Sequence, residues 1–406
     1  MKILITTDLF TTETNGVVTS VKNLYNELLE RGHDVKILTL SADNKTHKEG
    51  NVYYIKSSSL GIVYPNVRMT LSVRNALVKE LILWEPDVIH SNCEFFTFRI
   101  AQYIHKKTGA PIAHTYHTMY EDYVQYIFLG KGIGKWVVKT LSRQFMGKVD
   151  AVITPTKKVE QTLKGYDIKT DMYIIPTGIN LSQHKERITA DERREKRAAL
   201  GISESAKVIV NLGRLGAEKN ISELIDFYAE ALKTYPELVF LIVGGGPAEE
   251  ELKTHAKKAG VGDRVIFAGM VKPTEVHHYY QLGDIFVSAS TSETQGLTYA
   301  EAAANGLPLL CREDLCLYGI VEQGENGYAY KTKEEFLEFL GKMLADEEWL
   351  LKAADLSVAL SAKYDKIEFV NSVEDVYARI IAAAKEEAEK AKSKKNKKTK
   401  PTESEA

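Results

Sequence analysis

Short apolar runs alternate along this chain with longer segments whose apolar positions return every three or four residues. These are the periods of strand and helix. Residues 3–7 read as a strand. A polar loop, 8–16, leads into a helix with Val17, Val21, Leu24 and Leu28 on one face and Gly32 as its stop. Further strands are expected at 34–40, 52–55, 87–91, 111–115 and 150–154, then from residue 208, at 240–243, within 265–271 and at 284–288. Runs this apolar, separated by helices, predict parallel sheets covered on both faces. The fold class is therefore α/β, and the 406 residues suffice for two doubly wound domains. Ligands of such sheets sit beyond the carboxyl ends of the strands, so the residues just past each strand bear most on function.

Past the strand at 284–288 lies a small polar loop ending in Gly296, then a helix at 297–305 stopped by Gly306. Amides at the start of such a helix favour an anion. Two carboxylates, Glu293 and Glu301, frame it with Glu-x7-Glu spacing. Each accepts two hydrogen bonds at once and so suits the hydroxyl pairs of a sugar or ribose. Taken alone, the two glutamates fit an ordinary loop and an exposed helical position equally well. After the strand that begins at Val208 come Arg214 and Lys219. Fixed cations there would stabilise charge building on a diphosphate leaving group. The glycines at 244–246 allow close backbone approach or simply shape a turn. The first strand–helix loop has no Gly-x-Gly-x-x-Gly, which argues against a dinucleotide dehydrogenase. It carries Asn15-Gly16-Val17 instead, where Gly16 permits backbone approach to a phosphate or serves a plain turn.

In this order the motifs resemble those of retaining glycosyltransferases with the GT-B fold, the large family-4 group. The resemblance implies two Rossmann-like domains facing a central cleft, 1–182 and 183–365. A C-terminal helix, 366–389, crosses back to the first, with Phe369, Val373, Val376 and Ile380 on one face. It places Gly16 beside the donor's diphosphate, Arg214 and Lys219 on that diphosphate, and Val271 at the base. It also places Glu293 on the transferred sugar, Gly296 and Leu297 at the phosphates, and Glu301 on the ribose. Lys272 and Pro273 offer no carboxylate to guanine's N–H donors, which favours uracil. Thr294-Gln295-Gly296 stands where many relatives carry Gly-Phe-Gly, and the relatives that act on diacylglycerol share it.

The stretch His114-Thr-Tyr-His-Thr resembles bacterial diacylglycerol glucosyltransferases and makes His117 the site histidine, donating to a sugar hydroxyl. The implied catalytic set is His117, Arg214, Lys219 and Glu293. His114 reads as structural. Asn92, Glu94, Phe95 and Phe96 end the preceding strand and point to the acceptor side, with Glu94 at an acceptor hydroxyl. In 131–148, Lys131, Lys135, Lys139 and Arg143 recur every four residues, with Trp136, Val137, Leu141 and Phe145 on a neighbouring face. That is the pattern of a helix lying in anionic headgroups, and equally of a core-packed helix with a solvated basic side; its place just after the diacylglycerol-type motif favours membrane contact. The apolar loop at 60–71 fits the same surface or burial against the domain.

Composition narrows the picture further. A hydrophobic share of 44% and a charged share of 27% are ordinary for a soluble globular protein. There is no run of about 18 apolar residues for a spanning helix, and the N-terminus reads as a strand rather than a signal peptide. Cys93, Cys311 and Cys316 lack metal or disulfide spacing, which fits a reducing cytoplasm. Without an Asp-x-Asp motif, no metal or other cofactor is expected, and Arg214 and Lys219 take over charge neutralisation. From Lys390 onward seven lysines oppose Glu403 and Glu405, within a chain of net charge −2. The segment 390–406 is expected to be disordered, either a solubilising tail or one drawn to anionic lipid.

The expected activity is transfer of glucose from UDP-glucose to 1,2-diacylglycerol with retention. The expected partners are a nucleotide sugar and diacylglycerol in an anionic membrane surface, with no nucleic acid. The expected location is peripheral, at the inner face of the cell membrane. The alternatives are mannosyl or galactosyl transfer to another lipid, or a non-catalytic nucleotide-sugar-binding membrane protein. The intact Arg, Lys and Glu constellation argues against the last.

Overall fold

The computed structural model describes residues 1–10, 16–59, 68–119 and 131–398, with backbone alone at 131–133 and 394–398. The chain divides into two compact units, Met1–Pro176 with Ile367–Ala406, and Thr177–Lys366. The exchange falls ahead of the expected residue 182. Thr177 already hydrogen-bonds Gln295, and Ile179 bridges to Asp365.

The first unit is built on β1 (Lys2–Thr6), β2 (Asp34–Leu40), β3 (His47–Glu49), β4 (Val52–Ile55), a short ribbon of β5 (Ser58–Ser59) with β6 (Arg68–Met69), β7 (Val88–Ser91), β8 (Ile112–Thr115), β9 (Ala151–Thr154) and β10 (Met172–Ile174). Its main sheet runs β10-β9-β8-β7-β1-β2-β4-β3, parallel except where β3 meets β4. The helices are α1 (Gly16–Glu30), α2 (Ala76–Trp84), α3 (Phe96–Thr108), α4 (Lys131–Met146) and α5 (Lys157–Gly165). Ile3, Leu4 and Ile5 are all fully buried. Leu4 joins Phe98 and Ile104 of α3 on one face, while Ile3 and Ile5 join Val21 and Leu24 of α1 on the other. Two covered faces are why these strands read as unbroken apolar runs.

The second unit contains α6 (Leu181–Lys185), α7 (Ala190–Ala199), β11 (Val208–Leu212), α8 (Ile221–Ala231), β12 (Val239–Val243), α9 (Glu249–Lys258), β13 (Val265–Gly269), α10 (Val276–Tyr280), β14 (Ile285–Ser288), α11 (Leu297–Ala304), β15 (Leu309–Arg312), β16 (Gly327–Tyr330), α12 (Lys333–Ala345) and α13 (Glu347–Ser361). Its sheet, β13-β12-β11-β14-β15-β16, is parallel throughout. Strand order reverses between β11 and β14 here, and between β1 and β7 in the first unit. Such a reversal opens a crevice at the carboxyl ends of the two flanking strands.

The last helix, α14 (Lys366–Lys398), completes the first unit. Phe369, Val370, Val373, Val376, Tyr377 and Ile380 pack with Ile3, Ile5, Val21 and Leu24. The Tyr377 hydroxyl lies 2.5 Å from His90 Nδ1, and His90 Nε2 lies 2.7 Å from Thr115 Oγ1. His90 is fully buried, and burial pushes its pKa down to about 3. At the surface, Glu374 pairs with Arg31 and with His33. The expectation of disorder from residue 390 is corrected up to Lys398, where the helix still runs. Ala, Glu and Lys are strong helix formers even where nothing packs against them, and Glu386 and Lys390 pair one turn apart at 2.6 Å.

Candidate active site

In the second unit the two loops at the strand-order reversal meet. Arg214 follows β11, and its guanidinium pairs with Glu218 one turn on. A tight turn at Ala217–Lys219 ends on Asn220 in the left-handed region, at φ 50°. The Asn220 side chain donates to Glu223 Oε2 at 3.0 Å, and Arg312 reaches Glu223 Oε1 at 2.5 Å. This fixes the turn that carries Lys219. Lys219 in turn forms an ion pair with Glu293, from the loop after β14. Positions 74 residues apart in the chain are thus brought together.

Gly296, with φ 74°, begins α11. A Cβ there would lie 2.5 Å from the Tyr299 ring, so the position admits only glycine. It brings no side-chain acceptor to the helix start, which offers the amides at Leu297 to an anion. On α11, Glu301 Oε2 accepts from the Tyr280 hydroxyl at 2.8 Å. Burial raises the Glu301 pKa to about 7, and the Tyr280 hydrogen bond acts against that rise. Gln295 is buried and brackets the backbone of Thr177. Its Oε1 accepts from Thr177 N at 2.7 Å, and its Nε2 donates to Thr177 O at 3.0 Å.

The glycines after β12 hold protein backbone. A Cβ on Gly244 would run into Gly213 O, and one on Gly246 into Leu215 O. Gly213 N donates to Val243 O at 3.0 Å and Leu215 N to Gly245 O at 3.0 Å. The segment bearing Arg214 is therefore clamped on both sides. Val271 follows β13 and packs, half-buried, on the second unit's core.

The first unit has the corresponding arrangement. Asp8, past β1, accepts from Phe96 N at 3.2 Å and Thr97 N at 2.8 Å at the start of α3, past β7. Burial nonetheless raises its pKa. Gly16 opens α1 at the surface, while 11–15 lie outside the described residues. Past β8, His117 is half-buried, with Nε2 2.9 Å from Asn92 Oδ1. Burial lowers its pKa to about 4, with His114 acting the same way and Glu94 opposing. The ring is neutral, Nε2–H donates to Asn92, and Nδ1 is left as an acceptor. His117 was expected to donate to its ligand; the structure gives it the opposite polarity at the other nitrogen.

His114 is fully buried, as its structural reading requires, with Nε2 3.2 Å from Glu94 Oε1. Glu94, expected at an acceptor hydroxyl, is thus a buried partner of His114. Phe95 is exposed, whereas Phe96 packs on the core.

The basic stripe of α4 divides. Lys139 Nζ donates to Gly165 O at 3.1 Å and Arg143 Nε to Tyr166 O at 3.1 Å, satisfying carbonyls at the end of α5. Lys135 points outward with Trp136, 66% exposed, and Leu141, 41% exposed. Phe145, assigned to the outward apolar set, instead packs edge-on to Phe98 at 5.8 Å. The inward positions of α4 are Val138, Ser142 and Met146, and Phe145 flanks them. The Lys131 side chain and residues 60–67 lie outside the described residues. Among the described residues, no group of three or more His, Cys, Asp or Glu is placed to hold a metal ion. Nor is any helix among them long and apolar enough to cross a membrane.

Glu218, Glu223 and Tyr280 take part without a role assigned from sequence, whereas Asn92, read on the acceptor side, is the partner of His117. Only Glu218 left a local signal, its one-turn spacing from Arg214.

Known proteins share this architecture. Residues 14–183 match the family model described as Glycosyltransferase Family 4, and residues 192–357 the model described as Glycosyl transferases group 1. The chain is 34% identical over 332 residues to an alpha-monoglucosyldiacylglycerol synthase from Streptococcus pneumoniae, covering 81% of this chain and 75% of that one. It is 31% identical over 394 residues to a synthase of the same name from Acholeplasma laidlawii, covering 94% and 98%. Sucrose-phosphate synthase from Thermosynechococcus elongatus matches with a TM-score of 0.74 at 18% identity, over 94% of this chain and 99% of that one. Anabaena HepE in complex with UDP matches at 0.73 and 17%, over 93% and 100%. At these identities the structural likeness is one of fold. With two family models and two relatives above 30% identity in agreement, the chain belongs to the family-4 glycosyltransferases of GT-B fold.

Proposed function

We propose that this enzyme transfers glucose from UDP-glucose to the free hydroxyl of a diacylglycerol in an anionic membrane surface, with retention at the anomeric carbon. The observation that carries the reading is the Lys219–Glu293 pair across the strand-order reversal, with Arg214 on one loop and the α11 amides on the other. The names of the two relatives support the sugar and the acceptor. The absence of a carboxylate at Lys272-Pro273 supports uridine.

As the sugar–oxygen bond breaks, negative charge grows on the departing diphosphate. Arg214 and Lys219 are cations held at this loop by Glu218 and Glu293, and they stabilise that charge. The diphosphate competes with Glu293 for Lys219. Glu293, once released, accepts hydrogen bonds from the sugar hydroxyls. Glu301 takes the ribose, and His117 Nδ1 accepts from a sugar hydroxyl. No side chain of the site is an evident covalent nucleophile, so the acceptor hydroxyl attacks from the face the diphosphate leaves, and a phosphate oxygen takes its proton. Trp136, Leu141 and Lys135 supply apolar and basic contact with the lipid surface.

The test is a screen of UDP-glucose, UDP-galactose and GDP-mannose against diacylglycerol and phospholipid in vesicles, with product mass and anomeric proton coupling read out. An α-glucosyl diacylglycerol is expected. A β-linkage or a different sugar would overturn the reading, and no donor turnover with any pair would point to a binding role.

A further inference from the structure

Tyr280 closes α10 and has no part in the chemistry above. It is fully buried, with its ring tilted on Phe286 at 6.0 Å and edge-on to His184 at 6.3 Å. Its hydroxyl is 2.8 Å from Glu301 Oε2 and 3.4 Å from Thr298 O. We propose that Tyr280 is a positioning residue for the nucleotide: its hydroxyl holds Glu301 by Oε2 and presents the carboxylate to the ribose hydroxyls. The inference rests on Glu301 being the ribose-binding residue.

A carboxylate binds a diol best when ionised, because it then accepts twice and competes for no proton. Burial works against ionisation of Glu301, and the hydrogen bond from Tyr280 works for it. The other ionisable groups nearby leave this pair to itself. His184 of α6, behind Tyr280, is held neutral by burial, with His277 of α10 acting in the same direction. Glu293, Cys311 of β15 and Cys316 face Tyr299 on α11. The buried positions of α13, which packs on α11, are Ala353, Ser357 and Ser361, none of them ionisable.

The experiment measures affinity for UDP-glucose without acceptor, from about pH 5.5 to 8.5, across the range in which a raised carboxyl titrates. The diphosphate of that ligand stays fully ionised throughout. In the unmodified enzyme, affinity should rise as pH increases and Glu301 loses its proton. In Tyr280→Phe the rise should move to higher pH, with affinity nearly restored at the alkaline end. Each unit of displacement appears as about tenfold weaker binding below both midpoints. An equal loss at every pH would reduce Tyr280 to a packing residue and overturn the proposal.

Glu301→Gln separates the two claims. It should bind more weakly with no rise, and normal binding there would remove the ribose role of Glu301 itself. Should Tyr280→Phe fail to fold, 3-fluorotyrosine at position 280 keeps the shape and is a stronger donor, so the rise should move to lower pH. An unmoved rise would again overturn the proposal.

Discussion

Replacing Gln295 with Ala removes two hydrogen bonds from one buried place. The side chain accepts from Thr177 N at 2.7 Å and donates to Thr177 O at 3.0 Å. Both residues are buried, so no water takes over. Each backbone group left without a partner costs about 1–3 kcal/mol, and the pair about 2–6 kcal/mol of the second unit's stability. Gln295→Glu distinguishes this account from simple loss of packing. One carboxylate oxygen still accepts from Thr177 N, but the other faces Thr177 O without a proton. The Glu variant should therefore be nearly as damaging as Ala at neutral pH, and milder in acid, where a proton restores the donor. Urea unfolding read by Trp349, in a background with Trp84 and Trp136 changed to Phe, reports on the second unit alone. Hydrogen exchange at the Thr177 amide reports on the bond itself. A cost below about 1 kcal/mol, with the Thr177 amide still protected in Gln295→Ala, would refute the reasoning.

Arg214→Ala and Lys219→Ala should each lower turnover by about 100-fold or more with the fold intact; circular dichroism beside saturating-donor kinetics checks this, and near-normal turnover would remove their leaving-group role. In the proposed reading these cations take the diphosphate's charge, so turnover should persist after treatment with a chelator, and a loss restored by added divalent ion would contradict that. Glu301 keeps its proton in the folded state up to about pH 7, whereas the unfolded chain loses it near the usual carboxyl value of 4.5. Stability without nucleotide therefore falls as pH rises between those values, and Glu301→Gln should be more stable than the unmodified enzyme by up to about 3 kcal/mol at pH 8. That advantage should vanish at about pH 4, and equal unfolding midpoints at both pH values would show that the carboxyl titrates normally. Lys135→Glu with Trp136→Ser should reduce co-sedimentation with anionic vesicles and leave UDP affinity unchanged; undiminished sedimentation would move the lipid contact away from α4.

The buried strands were legible because β1, β7, β8 and β9 are covered on both faces and so carry continuous apolar runs. β3, His47–Glu49, escaped notice because it is a polar, half-exposed edge strand with no alternation to read. Phe145 was misplaced for a related reason. Periodicity gives a face, not what covers it, and the flank of the inward Val138 and Met146 face is itself covered by Phe98. Low hydrophobicity beyond residue 390 does not forbid a helix of Ala, Glu and Lys. Arg214, Lys219, Glu293 and Glu301 stood out individually, through motif order. Their pairing did not. Lys219 with Glu293 and His117 with Asn92 join loops that only the sheet brings together, and the polarity of His117 follows entirely from that second partner.

The helix that seals the first unit also sets the order in which the molecule is made. Ile3, Ile5, Val21 and Leu24 leave the ribosome before the second unit, yet residues that cover them, Phe369 to Ile380, leave only after it. All of Thr177–Lys366 is synthesised in between. At about 5–20 residues per second that interval lasts on the order of 10–40 s. Throughout it, the part of the first sheet that α14 covers, and His90, lack that cover, and the second unit, whose elements are contiguous in the chain, can fold ahead of the first. A nascent chain of this enzyme therefore carries an incompletely covered apolar sheet in its first unit until α14 arrives. Truncation before Phe369 should leave that state permanent, giving a chain that is captured by chaperones or aggregates even though Arg214, Lys219, Glu293 and Glu301 are all present.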